Sequence, residues 1–246
     1  MTKKYPNSPL TEVIAEFNFI PSNPWNATIP GLLYEKIKLD FPDIKQRIEP
    51  VQIFTPIDES NSNQATRRFD QVELVQFWSK NLNSLVQSGR DILTINHVKP
   101  YPSWEVFFPK VKKVLSVSNK ISKPKGLSRV SLRYINTIQI DSKKNKFSDG
   151  FQFSLPKPKN LKSEPRFFTT HIEFAVNERD VISQKILHGI ALNQKSDNFI
   201  LDIEFVMNQF NGLKISDIEK WLENAHNVIN ETFEQTLSEN LKKTFY

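Results

Sequence analysis

The stretch Ser128-Arg-Val-Ser-Leu-Arg-Tyr-Ile-Asn-Thr-Ile-Gln-Ile-Asp141 is the longest strand pattern in the chain, and its reading decides the fold. Val130, Leu132, Tyr134, Ile138 and Ile140 fall on one face, while Arg129, Ser131, Arg133, Thr137 and Gln139 fall on the other. Side chains alternate across a strand, so this segment offers one face to a core and keeps the other polar. Thr11 to Ile20 repeats the pattern upstream. Val13, Ala15, Phe17 and Phe19 share one face there, and Glu12, Ile14, Glu16 and Asn18 share the other.

Working outward, Ile29 to Phe41 has helical spacing and is stopped by Pro42. Arg47 to Ile57 reads as extended, and Asp58 to Ala65 as an exposed turn. Phe69 to Trp78, Asn83 to Val86 and Asp91 to Val98 make an antiparallel meander. Ser103 is placed to cap a second helix through Trp104, Phe107, Phe108, Val111 and Leu115, with Pro109 as a point of kinking. A lysine-rich linker, Lys120 to Gly126, leads into the long strand.

Downstream, Ser142 to Pro165 is a charged, proline-bearing insertion around a short strand at Phe151 to Leu155. Strands follow at Phe167 to Val176, Ile182 to Asn193 and Phe199 to Met207. The closing helix, Ser216 to Thr244, begins with the capping-box pair Ser216 and Glu219 and carries an apolar stripe including Leu222, Ile229 and Phe233. It is expected to lie on Leu132, Tyr134, Phe174, Ile203 and Phe205, with Phe233 central to the contact. The reading is one α+β domain over 1–246, mostly antiparallel sheet with helices on one side. Its halves, 1–119 and 127–246, are alike in outline without a sequence repeat.

Composition removes several classes of chemistry. With 246 residues, 19 Phe and 4 Trp, the chain can build a core without cross-links. It has no Cys, which excludes disulfides, thiolate metal sites and cysteine nucleophiles. No apolar run of about 18 residues is present. The start, Met1 to Leu10, has no apolar signal region, so the expectation is a cytoplasmic protein with no membrane partner. The six Gly residues form neither a G-x-G-x-x-G nor a phosphate-cradling loop, and His171 and His188, the closest pair of histidines, stand 17 apart. No cofactor or metal is therefore expected.

Four blocks and a closing helix recur in a recognisable order. They are P-L-x-E-V-x-x-x-F-x-F (Pro9 to Phe19), Y-P-x-W-E-x-F (Tyr101 to Phe107), L-R-Y-I-N-x-I (Leu132 to Ile138) and I-L-D-I-E (Ile200 to Glu204). The helix carries W-L-x-x-A-H-x-x-I-x-x-x-F (Trp221 to Phe233). Together they resemble a sporadically distributed bacterial family of unknown function and about this length. A patchy distribution implies mobile accessory genes, including defence and toxin–antitoxin systems, and the resemblance implies no activity, cofactor or catalytic residue. The lysine- and proline-rich insertion departs from such a core.

Two surfaces remain as candidate sites. On the strand faces opposite the apolar ones stand Glu12, Glu16, Arg133, His171, Glu173, Asp202 and Glu204. They read as a solvated sheet with cross-strand ion pairs, as a ligand-receiving groove or barrel lumen, or as a catalytic acid cluster. Arg133 sits mid-strand and is expected to be held by carboxylates, whereas Arg129 follows the linker and is expected to turn to water.

The second surface is electrostatic. Lys99 to Arg166 holds 16 basic and 4 acidic residues, and Lys110, Lys112, Lys113, Lys120, Lys123 and Lys125 are close enough in sequence to form one anion-binding patch. The functional expectation is a non-catalytic binding or regulatory protein engaging a protein or nucleic acid. The alternative is a hydrolase or phosphotransfer enzyme with a charged groove or tunnel in the sheet.

Overall fold

The computed structural model describes residues 5–54, 67–140, 147–156, 158–161, 165, 167–189 and 197–246, with backbone alone at 47–54, 67–73, 148, 189, 197 and 208–212. The turn expected at Asp58 to Ala65 lies outside the described residues. Nine strands form one antiparallel sheet: β1 (Leu10–Ile20), β2 (Asp43–Phe54), β3 (Arg67–Trp78), β4 (Ser84–Gly89), β5 (Ile92–Val98), β6 (Gly126–Ile140), β7 (Phe167–Ala175), β8 (Asp180–Gly189) and β9 (Asp197–Leu213). Their order is β2-β3-β4-β5-β1-β6-β9-β8-β7, so the sheet is open, with edges at β2 and β7.

The long pattern Ser128 to Asp141 becomes β6, and its neighbour is the other alternating stretch, β1. Val13, Ala15 and Phe17 stand opposite Tyr134, Leu132 and Val130, all buried on one side. β1 also pairs with β5, and β6 with β9. Each half thus pairs its first strand with its last, and the two first strands join the halves into one sheet.

The helices are α1 (Ile29–Ile37), α2 (Trp104–Ser122), α3 (Phe147–Gly150), α4 (Ile218–Thr236) and α5 (Glu239–Lys242). α2 packs on β5 and α1, and α4 packs on β9 and β6. The α+β sheet with helices on one side is thus the observed fold. Leu132, Tyr134, Ile203 and Phe205 lie in the core, as the periodicities require.

Several local expectations give way to stronger local physics. α2 continues past Lys120, where a linker was expected to begin, as far as Ser122, and ends where Lys123 takes the left-handed cap position (φ 45°) and returns its N–H to the Asn119 carbonyl. Ser216 forms no capping box: a 3-10 turn over Ile215–Asp217 makes Asp217 the N-cap. The closing helix is not continuous to Thr244, since Leu237 is extended and Ser238 starts α5 by accepting from the Leu241 N–H at 3.1 Å.

In place of a strand at Phe151 to Leu155 there is α3 and a single bridge from Phe151 to Leu237. Phe147, Phe151, Phe153, Phe168 and Phe199 pack there as one aromatic cluster. Gly150 packs closely beside it: a Cβ there would stand 2.7 Å from Ile140 Cδ1, so a larger residue would require that side-chain end to shift. Phe174 has the expected face, opposite Ile182, but is 52% exposed: β7 is the edge strand, beyond the cover of α4. Phe233 is half-buried at the margin of the core rather than central to it.

Candidate functional site

The polar side of the sheet gathers most of the residues expected there. Across β1, β6 and β9, Arg129 donates from Nη1 to Glu16 Oε1 at 2.5 Å and from Nη2 to Glu204 Oε1 at 2.7 Å. Arg133 makes a two-pronged bond to Asp202, with Nε to Oδ1 at 2.7 Å and Nη2 to Oδ2 at 2.6 Å. Asp202 and Glu204 hold the guanidinium of Arg133 above its ordinary pKa, the Asp202 hydrogen bonds being the larger cause. Arg129, expected to face water, is thus the bridge that ties three strands. In the regular register of the three strands it stands opposite Asn208 and Asn18, and it reaches Glu204 and Glu16 diagonally along the same face.

Glu12 accepts from Asn96 Nδ2 at 2.8 Å and adds a smaller electrostatic contribution to Arg133. His171 and Glu173, on the edge strand β7, are exposed and interact with each other at 3.0 Å. Of the seven residues, His171 and Glu173 are therefore set apart at the edge from the five on the central strands. Among the described residues no three His, Asp or Glu gather in a way that could hold a metal ion.

The lysines are divided in the same way. Lys113 pairs with Asp40 and Lys112 with Glu219, and Lys110 donates to Ser84 Oγ at 3.3 Å. Lys120, Lys123 and Lys125 are exposed at the far end of α2.

A different site, which the sequence reading missed, lies on the helix side where the two halves meet. It is a cavity of about 300 Å³ between the start of β1, β6, the first turn of α2 and the middle of α4. A bulge at Thr11 builds one wall: Leu10 faces Asn136 and Glu12 faces Ile135, so the extra residue swings Leu10 to the helix side. Thr11 Oγ1 donates to the Ile135 carbonyl at 2.8 Å, which satisfies the interrupted ladder. Tyr134 and Asn136 project from alternate positions of β6 into the same space.

From α4 comes His226, whose Nδ1 shares a hydrogen bond of 2.6 Å with the Tyr134 hydroxyl. The Asn230 amide nitrogen, one helical turn on, approaches both ring nitrogens at 3.2 and 3.1 Å. Trp104 lies flat on His226, with centroids 4.3 Å apart and 4° between planes, and Phe108 stacks behind it at 4.9 Å. Trp104 is pinned at its edge, donating from Nε1 to Glu223 Oε2 at 3.0 Å. Tyr5 closes the cavity by donating its hydroxyl to Glu234 Oε1 at 2.6 Å.

Burial sets the charge state inside. The His226 pKa is lowered to about 4, chiefly by burial and against the pull of Glu105, so the ring is neutral at pH 7. Burial likewise raises the hydroxyls of Tyr134 and Tyr101 above the ordinary tyrosine value. The Tyr101 hydroxyl, sealed from solvent, has no partner of hydrogen-bonding geometry, although the Tyr134 hydroxyl is near enough to influence its ionisation.

The signal for this site was present in the sequence as isolated blocks. Leu10, Tyr101 and Trp104, Tyr134 and Asn136, and His226 and Ile229 belong to four of the five stretches quoted above, and all line the cavity.

The chain matches no family model and no curated protein. Among solved structures it is similar to the di-domain ARO/CYC StfQ from the steffimycin biosynthetic pathway. The identity is 7% over 95% of this chain and 97% of that one, with a TM-score of 0.18. A likeness of that size carries no argument. Among the described residues no helix is long and apolar enough to cross a membrane.

Proposed function

We propose that the protein is a non-catalytic binding module whose ligand is a small molecule held in the cavity between α2 and α4. The observation that carries this reading is the cavity itself, about 300 Å³, walled by aromatic rings, by neutral polar groups such as Asn136, His226 and Asn230, and by Glu105 and Glu234, drawn from both halves. That volume is at the lower end of ligand pockets, and its lining has their usual apolar body with a few convergent polar groups.

Catalysis is poorly served by the same groups. A histidine with a pKa of about 4 is a weak general base at neutral pH, and tyrosines with raised pKa values are reluctant nucleophiles. The charged face of the sheet favours the same conclusion: the sheet is open, and its two arginines are already matched to carboxylates. A macromolecular partner drawn by the lysines has less support, because Lys112 and Lys113 are paired to acids of the same chain.

The test is a thermal-shift screen of small aromatic compounds, run in parallel on Ser8→Trp. Ser8 lines the cavity from the loop before β1, where its hydroxyl accepts from the Leu10 N–H, and a Trp there is expected to plug it. Hits that stabilise the wild type, lose their effect in Ser8→Trp and are recovered unchanged are the expected result. Conversion of a hit to product, or hits indifferent to the plug, would overturn the proposal.

A further inference from the structure

We infer that the protein forms a two-fold dimer through β7, an open edge of the sheet, with β7 of a second copy running antiparallel beside it. This goes beyond the reading of the cavity, to which β7 contributes no residue. Edge strands present unpaired main-chain groups, and proteins commonly guard them with proline, bulges and charge. β2, at the other edge, has the sequence DIKQRIEPVQIF, with charged residues at alternate positions from Asp43 to Glu49 and then Pro50. β7 is FFTTHIEFA, without proline, lysine or arginine, and it pairs with β8 over all 9 residues with no bulge. One edge is guarded and the other is built to pair.

The main chain shows which groups are free to pair. Val176 donates its N–H to the Asp180 carbonyl at 2.8 Å where the β7–β8 hairpin closes. In an antiparallel ladder such bonds fall on alternate residues, so Phe174, Ile172 and Thr170 turn their main-chain groups towards β8. Ala175, Glu173, His171 and Thr169 therefore turn theirs outward, and all four residues are exposed.

The side chains select a second copy as the occupant. On the helix side Ile172 and Phe174 are exposed although large and apolar. On the open side His171 and Glu173 alternate along β7, with Lys185 of β8 opposite His171 and Ser183 opposite Glu173. An added strand must keep like faces together, so the two-fold axis falls on a residue and not between two. Placed on Glu173, it sets two carboxylates against each other. Placed on His171, it sets two imidazoles together and leaves each Glu173 opposite a threonine. Placed on Ile172, it sets His171 of each chain, with Lys185 behind it, opposite the partner's Glu173, and Thr169 opposite the partner's Ala175. Unlike charges directly across a ladder stabilise it and like charges oppose it. In that register Ile172 meets Ile172 across the axis and Phe174 lies diagonal to it, so the exposed apolar residues cover one another. A strip that complements itself about a two-fold axis fits another copy of this chain.

The experiment is sedimentation of the full chain from micromolar to hundreds of micromolar, with amide exchange by NMR on the same samples. The wild type is expected to pass from its monomer mass of 28.6 kDa to twice that value. Over the same range the outward amides of Thr169, His171, Glu173 and Ala175 should become protected, while those of Thr170, Ile172 and Phe174 are protected throughout. Glu173→Lys, a change at an exposed position, is expected to raise the dimer dissociation constant about tenfold, because the axis repeats it twice. Adding His171→Glu to Glu173→Lys restores an unlike pair in the proposed register alone, and should recover most of the loss. Thr169→Pro removes an N–H that points away from β8 and should also weaken the dimer, with the thermal melt of the dilute protein as the check on folding.

A wild type that stays monomeric at hundreds of micromolar would overturn the proposal, as would a dimer whose outward β7 amides exchange as freely as in the monomer. A double variant that dimerises no better than Glu173→Lys alone would overturn the register and, with it, the reason for choosing a second copy. None of these outcomes bears on the cavity as a ligand site.

Discussion

The two faces of the central strands use polar groups in opposite ways. On the open face, Glu16, Arg129, Glu204, Arg133 and Asp202 answer one another across β1, β6 and β9. On the helix face, Tyr134, Asn136, His226 and Asn230 sit under aromatic rings, with acceptors left over and one tyrosine hydroxyl unmatched. A polar group that is fully satisfied by its neighbours has nothing left to offer a ligand and serves to fix strand register. One that is buried and only partly satisfied carries a cost that a ligand can relieve. The difference supports the proposal that the helix face is the binding side, although the open face carries more charge.

The contrast in packing gives the largest expected effect. Phe205 is fully buried against Trp221, with ring centroids 5.3 Å apart, whereas its chain neighbour Val206 looks to the open face. Phe205→Ala should cost about 3 to 5 kcal/mol in urea unfolding, and Val206→Ala about 1. Comparable losses at the two positions would mean that the core is not confined to the helix side.

Next in size is a pH effect that belongs to the helix face alone. Folding lowers the His226 pKa from 6.5 to about 4, so between these values the unfolded chain binds the extra proton and the folded chain does not. Stability is therefore expected to fall as pH drops from about 6.5 towards 4, by about 2 kcal/mol from this residue. His226→Gln should flatten that part of the profile relative to wild type, with Glu105 in both chains as the nearby acid opposing the shift. Parallel pH profiles for the two proteins would show that the ring is not held neutral.

On the open face, Arg129→Met strands two carboxylates and should cost about 1 to 2 kcal/mol, while Arg133→Met strands one and should cost about 1 or less. A reversed order would restore Arg133 as the organising residue. The smallest effect sharpens the comparison most. Tyr101→Phe removes a sealed, unmatched hydroxyl and should change stability by less than about 0.5 kcal/mol, whereas Tyr134→Phe leaves His226 without its hydroxyl partner and should cost about 1 to 2.

Much of the frame was legible from alternation alone. The pairing of apolar Val130, Leu132 and Tyr134 with Val13, Ala15 and Phe17 follows from two period-2 patterns that each need cover on the same side. The polar-face residues were legible for the same reason, but their partners were not. Arg133 stands opposite Glu204 but bonds Asp202 two residues along β9, and Arg129 reaches Glu16 and Glu204 diagonally across two ladders, both of which depend on pairing registers that no local pattern announces.

The chain by itself therefore determined most of the strands and helices, which of their faces are apolar, and that it has no cysteine thiol and no glycine-rich phosphate-binding motif. Those properties depend on residue type and spacing within some ten or twenty neighbours. The tertiary structure alone decided the cavity. Its walls come from residues as far apart as Leu10 and Asn230, and it exists because one bulge turns Leu10 inward and two helices from different halves meet over β6. His226 reads in sequence as one polar residue within a helical stripe. Only burial against Trp104 and Tyr134 makes it a neutral hydrogen-bonding group, since desolvation is a property of the folded surroundings.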